Sequence, residues 1–223
     1  ESQGVIWLPM FHDMGLIGGV IQPLYGGFPV TLMSPVALIQ KPIRWLKALS
    51  KYKATTSGGP NFAYDLVSRQ VTPEQLKNLD LSSWSVAFSG AEPVRGATLE
   101  RFANTFAPCG FRQEAFYPCY GMAETTLFIS GGTKTKAPVI KYVDAEALAE
   151  NRVVVGGEKS KAVVSCGWGW LGDEIVIVDP ESLTRRSEGE VGEIWVSGAG
   201  VGKGYWQQPE ETKQTFNGFL ADQ

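Results

Sequence analysis

The densest chemistry in this chain lies at Tyr120, Gly121 and Glu124, inside Glu114-Ala-Phe-Tyr-Pro-Cys-Tyr-Gly-Met-Ala-Glu-Thr-Thr-Leu-Phe-Ile-Ser130. Each residue type has a use beside a nucleotide. A glycine lets the backbone approach a ligand, because it carries no Cβ. An aromatic ring next to it can cover a flat base. A carboxylate just beyond can hold Mg2+, which takes one or two protein carboxylates and fills its other positions with phosphate oxygens and water. The pattern reads as a site for a nucleotide with its metal. A strand-to-helix turn with a solvated Glu fits the same residues, and context has to decide between the two.

Other residues could add to such a site. His12 is the only histidine, which excludes a multi-His metal centre and any His-based nucleophilic triad built elsewhere. It follows the apolar run Gly4–Pro9, at the C-terminal end of an expected strand, where open α/β sheets place ligand contacts. A capping or core histidine is the other reading. Ser89-Gly90-Ala91-Glu92-Pro93 joins an expected strand, Ser85–Ser89, to an expected helix, Arg95–Phe106; strand, glycine turn and helix together can bind a phosphate or a base. The cluster Gly198-Ala-Gly-Val-Gly-Lys-Gly204 matches neither GxxxxGK[ST] nor GxGxxG and opens no helix, so it reads as a turn or bulge. Cys109, Cys119 and Cys166 are odd in number and lack CxxC spacing, so they are expected as buried thiols of a reducing cytoplasm.

The elements that must position these residues follow from periodicity. Up to residue 131 strand and helix patterns alternate: strands at Gly4–Pro9, Phe28–Met33, Ala54–Ser57, Ser85–Ser89 and Leu127–Ser130, helices at Met14–Tyr25, Pro42–Tyr52, Arg95–Phe106 and after Pro60. Asp13 is the expected N-cap of the first helix and Pro60 the expected N1 of the one it opens, with Phe62, Leu66 and Val67 on its apolar face. Thr72 and Gln75 have capping-box spacing for a short helix Pro73–Asn78. The alternation predicts an α/β fold, a mainly parallel sheet with helices on both faces. Residues 132–160 are polar and weakly periodic and read as an insertion; its apolar Val139, Ile140, Val143 and Leu148 are expected to pack on the body. Residues 161–223 read as a small all-β, barrel-like subdomain with a last helix Pro209–Phe216. The 223 residues carry a net charge of −3, without the basic face a nucleic-acid binder needs. Met14–Gln40 is uncharged, but Pro23, Gly26-Gly27, Pro29 and Pro35 interrupt it, so no membrane span is expected.

Four segments in a fixed order carry a resemblance: Trp7-Leu-Pro-Met-Phe-His-Asp-Met-Gly15, Ser89–Pro93, Tyr120-Gly-Met-Ala-Glu-Thr125, and Gly192-Glu-Ile-Trp-Val-Ser-Gly198 running to Lys203-Gly-Tyr-Trp206. Together they resemble the adenylate-forming superfamily. Within it the chain looks most like the fatty acyl-AMP ligases, on the run from His12 to Gly19, Gln22-Pro-Leu-Tyr-Gly-Gly27, Thr56–Asp65 and the extra segment after the Tyr-Gly motif. The resemblance implies a cytoplasmic enzyme that activates a fatty acid with ATP, giving acyl-AMP and pyrophosphate, and passes the acyl group to an acyl carrier protein. A long-chain acyl-CoA ligase or a non-catalytic binding module are the alternatives. It implies that Ser89, Gly90, Ala91, Glu92 and Pro93 contact adenine, together with Tyr120, Gly121 and Met122. Glu124 would be the Mg2+ ligand and catalytic carboxylate, and His12 would stand near the reacting carboxylate and phosphate. Ala123 stands where many relatives have Thr. The family's phosphate loop and Lys are expected before Glu1, and its ribose-binding Asp and small C-terminal domain after Gln223. The insertion is expected to disfavour the pose needed for thioester formation with coenzyme A.

Overall fold

The computed structural model describes residues 2–170 and 172–221. Its frame is a seven-stranded sheet of order β2-β1-β3-β4-β5-β6-β9. Strands β1 (Gly4–Ile6), β2 (Val30–Leu32), β3 (Thr56–Gly59), β4 (Val86–Ser89) and β5 (Phe116–Met122) pair with one another in parallel. β6 (Leu127–Gly131) and the two-residue β9 (Trp168–Gly169) complete it in antiparallel pairing. From β1 the chain moves one way to β2, and from β2 onward it moves the other way. Crossovers between parallel strands are right-handed, so the reversal puts the helices after β1 on one face and the later ones on the other.

The face covered by α4 (Ile43–Tyr52), α5 (Asn61–Gln70) and α7 (Gly96–Phe106) holds an aromatic core. Trp45, Trp84, Tyr64, Phe102 and Phe116 are all buried there, with Trp45 and Trp84 ring centroids 5.3 Å apart and Phe102 and Phe111 4.9 Å apart, both edge to face. Their polar atoms are satisfied inside the core. Trp45 Nε1 donates to Ser57 Oγ at 2.8 Å, and Tyr64 Oη donates to the Phe88 carbonyl at 2.7 Å. Burial accordingly holds the Tyr64 phenol well above its ordinary range.

Several local expectations are corrected. The helix expected at Met14–Tyr25 is three pieces: α1 (Asp13–Leu16), a π-helical turn Ile17–Ile21, and α2 (Gln22–Gly26). Pro23 has no N–H to return to the preceding turn, and the ladder widens just before it. The N-cap position is His12, not Asp13, because a Pro9–His12 turn, closed by His12 N to Pro9 O at 3.1 Å, leaves His12 extended at φ −105°, ψ 143°. Pro60 is likewise the N-cap of α5 rather than N1, with an extended ψ of 155°. Ala63, Tyr64 and Val67 form the buried face of that helix; Phe62 is exposed and meets Trp7 edge-on at 6.1 Å. A helix α3 (Pro35–Gln40) lies where Ser34-Pro35 reads only as a break. α6 (Pro73–Leu76) has the expected capping box.

Beyond β6 the chain forms two ladders. β7 (Ile140–Asp144) pairs with β8 (Ser160–Val164), and β10 (Glu174–Val178) pairs with β11 (Glu193–Ser197). The first ladder ties the segment 132–160 to the strand that begins at its end. Between its strands lies α8 (Ala145–Ala149), capped by Asp144, whose Oδ1 accepts from the backbone N–H of Glu146 and Ala147. Ile140 and Val164 pack over Gly96 at the start of α7, and Val143 is buried, whereas Val139, just before β7, is exposed. Backbone bonds from Val153 N to Gly189 O (2.7 Å) and Val191 N to Asn151 O (2.8 Å) fasten the segment to the loop before β11. The last helix is α9 (Pro209–Phe216). Among the described residues no helix is long and apolar enough to cross a membrane.

Candidate functional site

Parallel α/β sheets bind ligands at the carboxyl ends of their strands, beside the point where the strand order reverses. Here that point lies between β1 and β3, and the expected site residues lie at the carboxyl ends of β1, β4 and β5. Gly59, Ser89 and Pro118 stand in register across β3, β4 and β5. The Trp7 ring lies over Gly59, where a built Cβ would come 2.4 Å from the indole. Among the described residues, Trp7 Nε1 and Ser89 Oγ are buried with no hydrogen-bond partner. Both atoms are enclosed by the residues around them. Sequence reasoning missed Trp7, because its orphan N–H is visible only in three dimensions.

The turn after β4 is fixed from below. Gly90 is buried, and a Cβ there would approach Cys119 Sγ to 3.1 Å. Ala91 takes a left-handed φ of 65°, a conformation a non-glycine residue holds only when its surroundings impose it. Those surroundings are the start of α5. Glu92 Oε1 accepts from Phe62 N at 2.6 Å, and Asn61 Oδ1 accepts from Arg95 N at 3.0 Å. A carboxylate at a helix N-terminus is favoured by the free N–H groups and the dipole there. Glu92 is thus engaged in holding the turn, while Ala91, Glu92 and Pro93 are exposed along its outer rim.

The Tyr-Gly segment is a hairpin, not a strand-to-helix turn. β5 runs on through Tyr120, Gly121 and Met122; Ala123–Thr125 form one 3-10 turn, and Thr126 and Leu127 reverse the chain at φ 56° and 84°. The pairing shifts register between Tyr120 and Gly121, a bulge that needs the glycine: a Cβ on Gly121 would sit 1.6 Å from the Leu127 carbonyl oxygen. The close approach that Gly121 permits is therefore to its own hairpin. Met122 contributes its carbonyl to Thr125 Oγ1 at 3.0 Å. Glu124 stands at the tip, half-buried. Gly18, in the π-helical turn, faces Leu127 across 3.8 Å from its built Cβ, which brings the helix that begins at His12 against this hairpin.

His12 keeps local polar contacts. Its Nδ1 lies 2.5 Å from Asp13 Oδ1 and accepts from Met14 N at 3.2 Å, and Asp13 Oδ1 accepts from the same N–H at 2.7 Å. Nδ1 is engaged within its own turn, so Nε2 is the nitrogen left to address a ligand. The side chain is 48% exposed.

The glycine cluster 198–204, read as a turn, is a turn, and it seats the hairpin tip. Gly202 N donates to Glu124 O at 2.7 Å, Thr126 Oγ1 donates to Gly200 O at 2.6 Å, and Tyr205 Oη donates to Glu124 Oε1 at 2.5 Å. Sequence reasoning quoted Tyr205 within a motif and gave it no role. No group of three or more His, Cys, Asp or Glu that could cage a metal occurs among the described residues. A single carboxylate at an accessible tip suits Mg2+ carried by phosphates, and does not suit an all-protein metal cage.

Comparison with known proteins identifies the family. A family model described as AMP-binding enzyme matches residues 2–206. The medium-chain-fatty-acid–[acyl-carrier-protein] ligase TtuA of Teredinibacter turnerae is 49% identical over 94% of this chain and 33% of its own length. The long-chain-fatty-acid–AMP ligase FadD32 of Mycolicibacterium smegmatis is 41% identical over 98% of this chain and 36% of its own. The crystal structure of a fatty acyl-adenylate ligase from L. pneumophila, in complex with acyl adenylate and pyrophosphate, superimposes with a TM-score of 0.96 at 46% identity, covering all of this chain and 39% of that one. The chain spans about a third of the length of these curated relatives. A parallel sheet whose carboxyl edge gathers the turn after β4, the Tyr120 hairpin and the His12 helix, matched by that model almost end to end, makes this chain a member of the AMP-binding enzyme family.

Proposed function

We propose that the protein is a fatty acyl-AMP ligase. It joins a fatty acid carboxylate to the α-phosphate of ATP, releases pyrophosphate, and hands the acyl group to an acyl carrier protein. The observation that carries this reading is the 46% identity, over the whole chain, to a solved ligase holding acyl adenylate and pyrophosphate. The geometry supports the division of labour. Adenine lies between the rim Ser89–Pro93 and the Tyr120 ring, with Gly121 and Met122 as the strand backbone alongside. Glu124 holds Mg2+, which when bound neutralises charge on the phosphates. His12, through Nε2, addresses the reacting carboxylate and phosphate.

Residues 132–160 act as a brake on thioester formation with coenzyme A. Support comes from how the segment is anchored: Ile140, beside Val164 of the paired β8, sits on α7, Val143 is buried, and residues 151–153 pair with 189–191. An anchored element can bias a domain equilibrium; a floating loop cannot. The test is fatty-acid-dependent ATP–pyrophosphate exchange by the full-length protein, followed by a choice of acceptor. Exchange with transfer to holo-acyl carrier protein supports the reading. Rapid acyl-CoA formation makes the protein a CoA ligase, and no exchange with any fatty acid removes the ligase reading.

A further inference from the structure

Glu124 is gripped from outside its own hairpin. The loop after β11 reaches its backbone through Gly202 N and its side chain through Tyr205 Oη, and binds the next turn of the hairpin through Gly200 O and Thr126 Oγ1. The two side-chain bonds span 74 and 81 positions of sequence. The approach depends on small residues: a Cβ on Gly200 would come within 2.9 Å of the Thr125 carbonyl. Tyr205 is itself fixed to α9. Its N–H donates to Thr212 Oγ1 at 2.9 Å, and its ring meets Phe216 edge-on at 5.2 Å.

We propose that Tyr205 is the positioning residue of Glu124: its hydroxyl, held by α9, fixes Oε1 and leaves Oε2 for the cation. The proposal rests on the reading of Glu124 as the metal-holding carboxylate. An ionised carboxylate on a hairpin tip is otherwise mobile about three side-chain torsions, and ordering it in advance removes that cost from cation binding. An O–H donor at 2.5 Å from a carboxylate oxygen is a charge-assisted bond, among the strongest available to hold it. One oxygen is then engaged, and the other is left as the oriented donor for the cation. Outer partners of metal ligands work in this way in general, by setting orientation and basicity.

The experiment uses the full-length protein with Mn2+ as a paramagnetic substitute for Mg2+. Its affinity in the presence of ATP is read by electron paramagnetic resonance for wild type, Tyr205→Phe, Glu124→Gln and the double variant. Tyr205→Phe keeps the ring against Phe216 and loses only the hydroxyl. The expected result is a loss of about 10–100-fold in Mn2+ affinity for Tyr205→Phe. The double variant binds no more weakly than Glu124→Gln alone, because Tyr205 acts only through that carboxylate. If Glu124→Gln weakens binding and Tyr205→Phe does not, the proposal is overturned and the metal reading stands. If the two losses multiply in the double variant, Tyr205 serves the fold rather than Glu124, and the proposal is again overturned. If Glu124→Gln binds Mn2+ as wild type does, the metal reading fails and takes the proposal with it.

Discussion

Gly121→Ala is the sharpest single perturbation of the hairpin that carries Glu124. The new Cβ would fall 1.6 Å from the Leu127 carbonyl oxygen, and real Cβ contacts essentially never come under 3.0 Å, so the two strands must part by roughly 1.4 Å. The obstacle is paired backbone, not the end of a flexible side chain. Overpacking of this kind costs about 1–3 kcal/mol in stability. The larger effect is on chemistry, because the displacement occurs three residues before Glu124 and beside its clamp at Gly200 and Gly202. A misplacement of about 1 Å costs up to 10²-fold in rate, or about 2.7 kcal/mol of transition-state stabilisation. Gly132→Ala is the control: nothing lies within 4 Å of a Cβ there. Assayed by ATP–pyrophosphate exchange and thermal melting in the full-length protein, Gly121→Ala loses about 10²-fold in kcat/KM and melts several degrees lower, while Gly132→Ala does neither. A Gly121→Ala protein with wild-type exchange and melting would refute the assignment of Gly121 to the hairpin rather than to a ligand.

Glu124→Ala lowers kcat for adenylation by about 10²–10³-fold, the range for loss of one electrostatic contact in a transition state, and lowers melting only modestly, because the half-buried side chain gives up its bond to Tyr205 but no core packing; collapse of stability with normal specific activity would make it structural. Replacing residues 145–159 by a short glycine linker keeps the β7–β8 ladder and removes α8 with the anchor at 151–153; acyl-CoA output rises severalfold with exchange intact, and an unchanged product ratio in a folded variant defeats the brake. Burial, with Cys166 nearby, pushes the Cys119 thiol up to about 12. The folded state therefore keeps a proton that the unfolded chain releases above its ordinary value of about 8.5, so stability is full below that pH and falls as pH rises toward 12, by up to about 1.4 kcal/mol per unit. Urea midpoints at pH 8 and pH 10 fall less in Cys119→Ala than in wild type; equal slopes would show that the thiol does not titrate so high.

The sheet was legible because β1, β2 and β4 carry apolar runs and the main helices apolar stripes, and alternation of the two implies parallel pairing; β3, Thr56-Ser-Gly-Gly59, has no apolar run and was read from its place between two helices. Local endings were harder to read. The π-helical turn in 17–21 and the capping position of His12 depend on Pro23 and on a turn back to Pro9, which no periodicity records. Residue type and spacing singled out Tyr120, Glu124 and the Ser89–Pro93 turn, and the structure puts the turn after β4 and the Tyr120 segment of β5 on neighbouring strands. The site was not legible where distance in sequence hides contact. Gly121 reads as a ligand-approach glycine, yet its space is taken by Leu127, six positions on. Glu92 reads as a ligand contact, yet its carboxylate caps α5, thirty positions back. Tyr205 lies 81 positions from Glu124 and reaches it only because glycines 198–204 let the loop lie against the hairpin. Nor does composition separate an insertion from its neighbours when β7 finds its partner in β8.

The central claim is that the turn after β4 and the Tyr120 hairpin together form an acyl-adenylate site. It is tested most directly by a crystal structure of the full-length protein with a non-hydrolysable acyl-adenylate analogue. The account predicts adenine between Ser89–Pro93 and the Tyr120 ring, with the acyl-phosphate junction toward His12 and Glu124. An adenine bound elsewhere, with this edge of the sheet unchanged and empty, would contradict it.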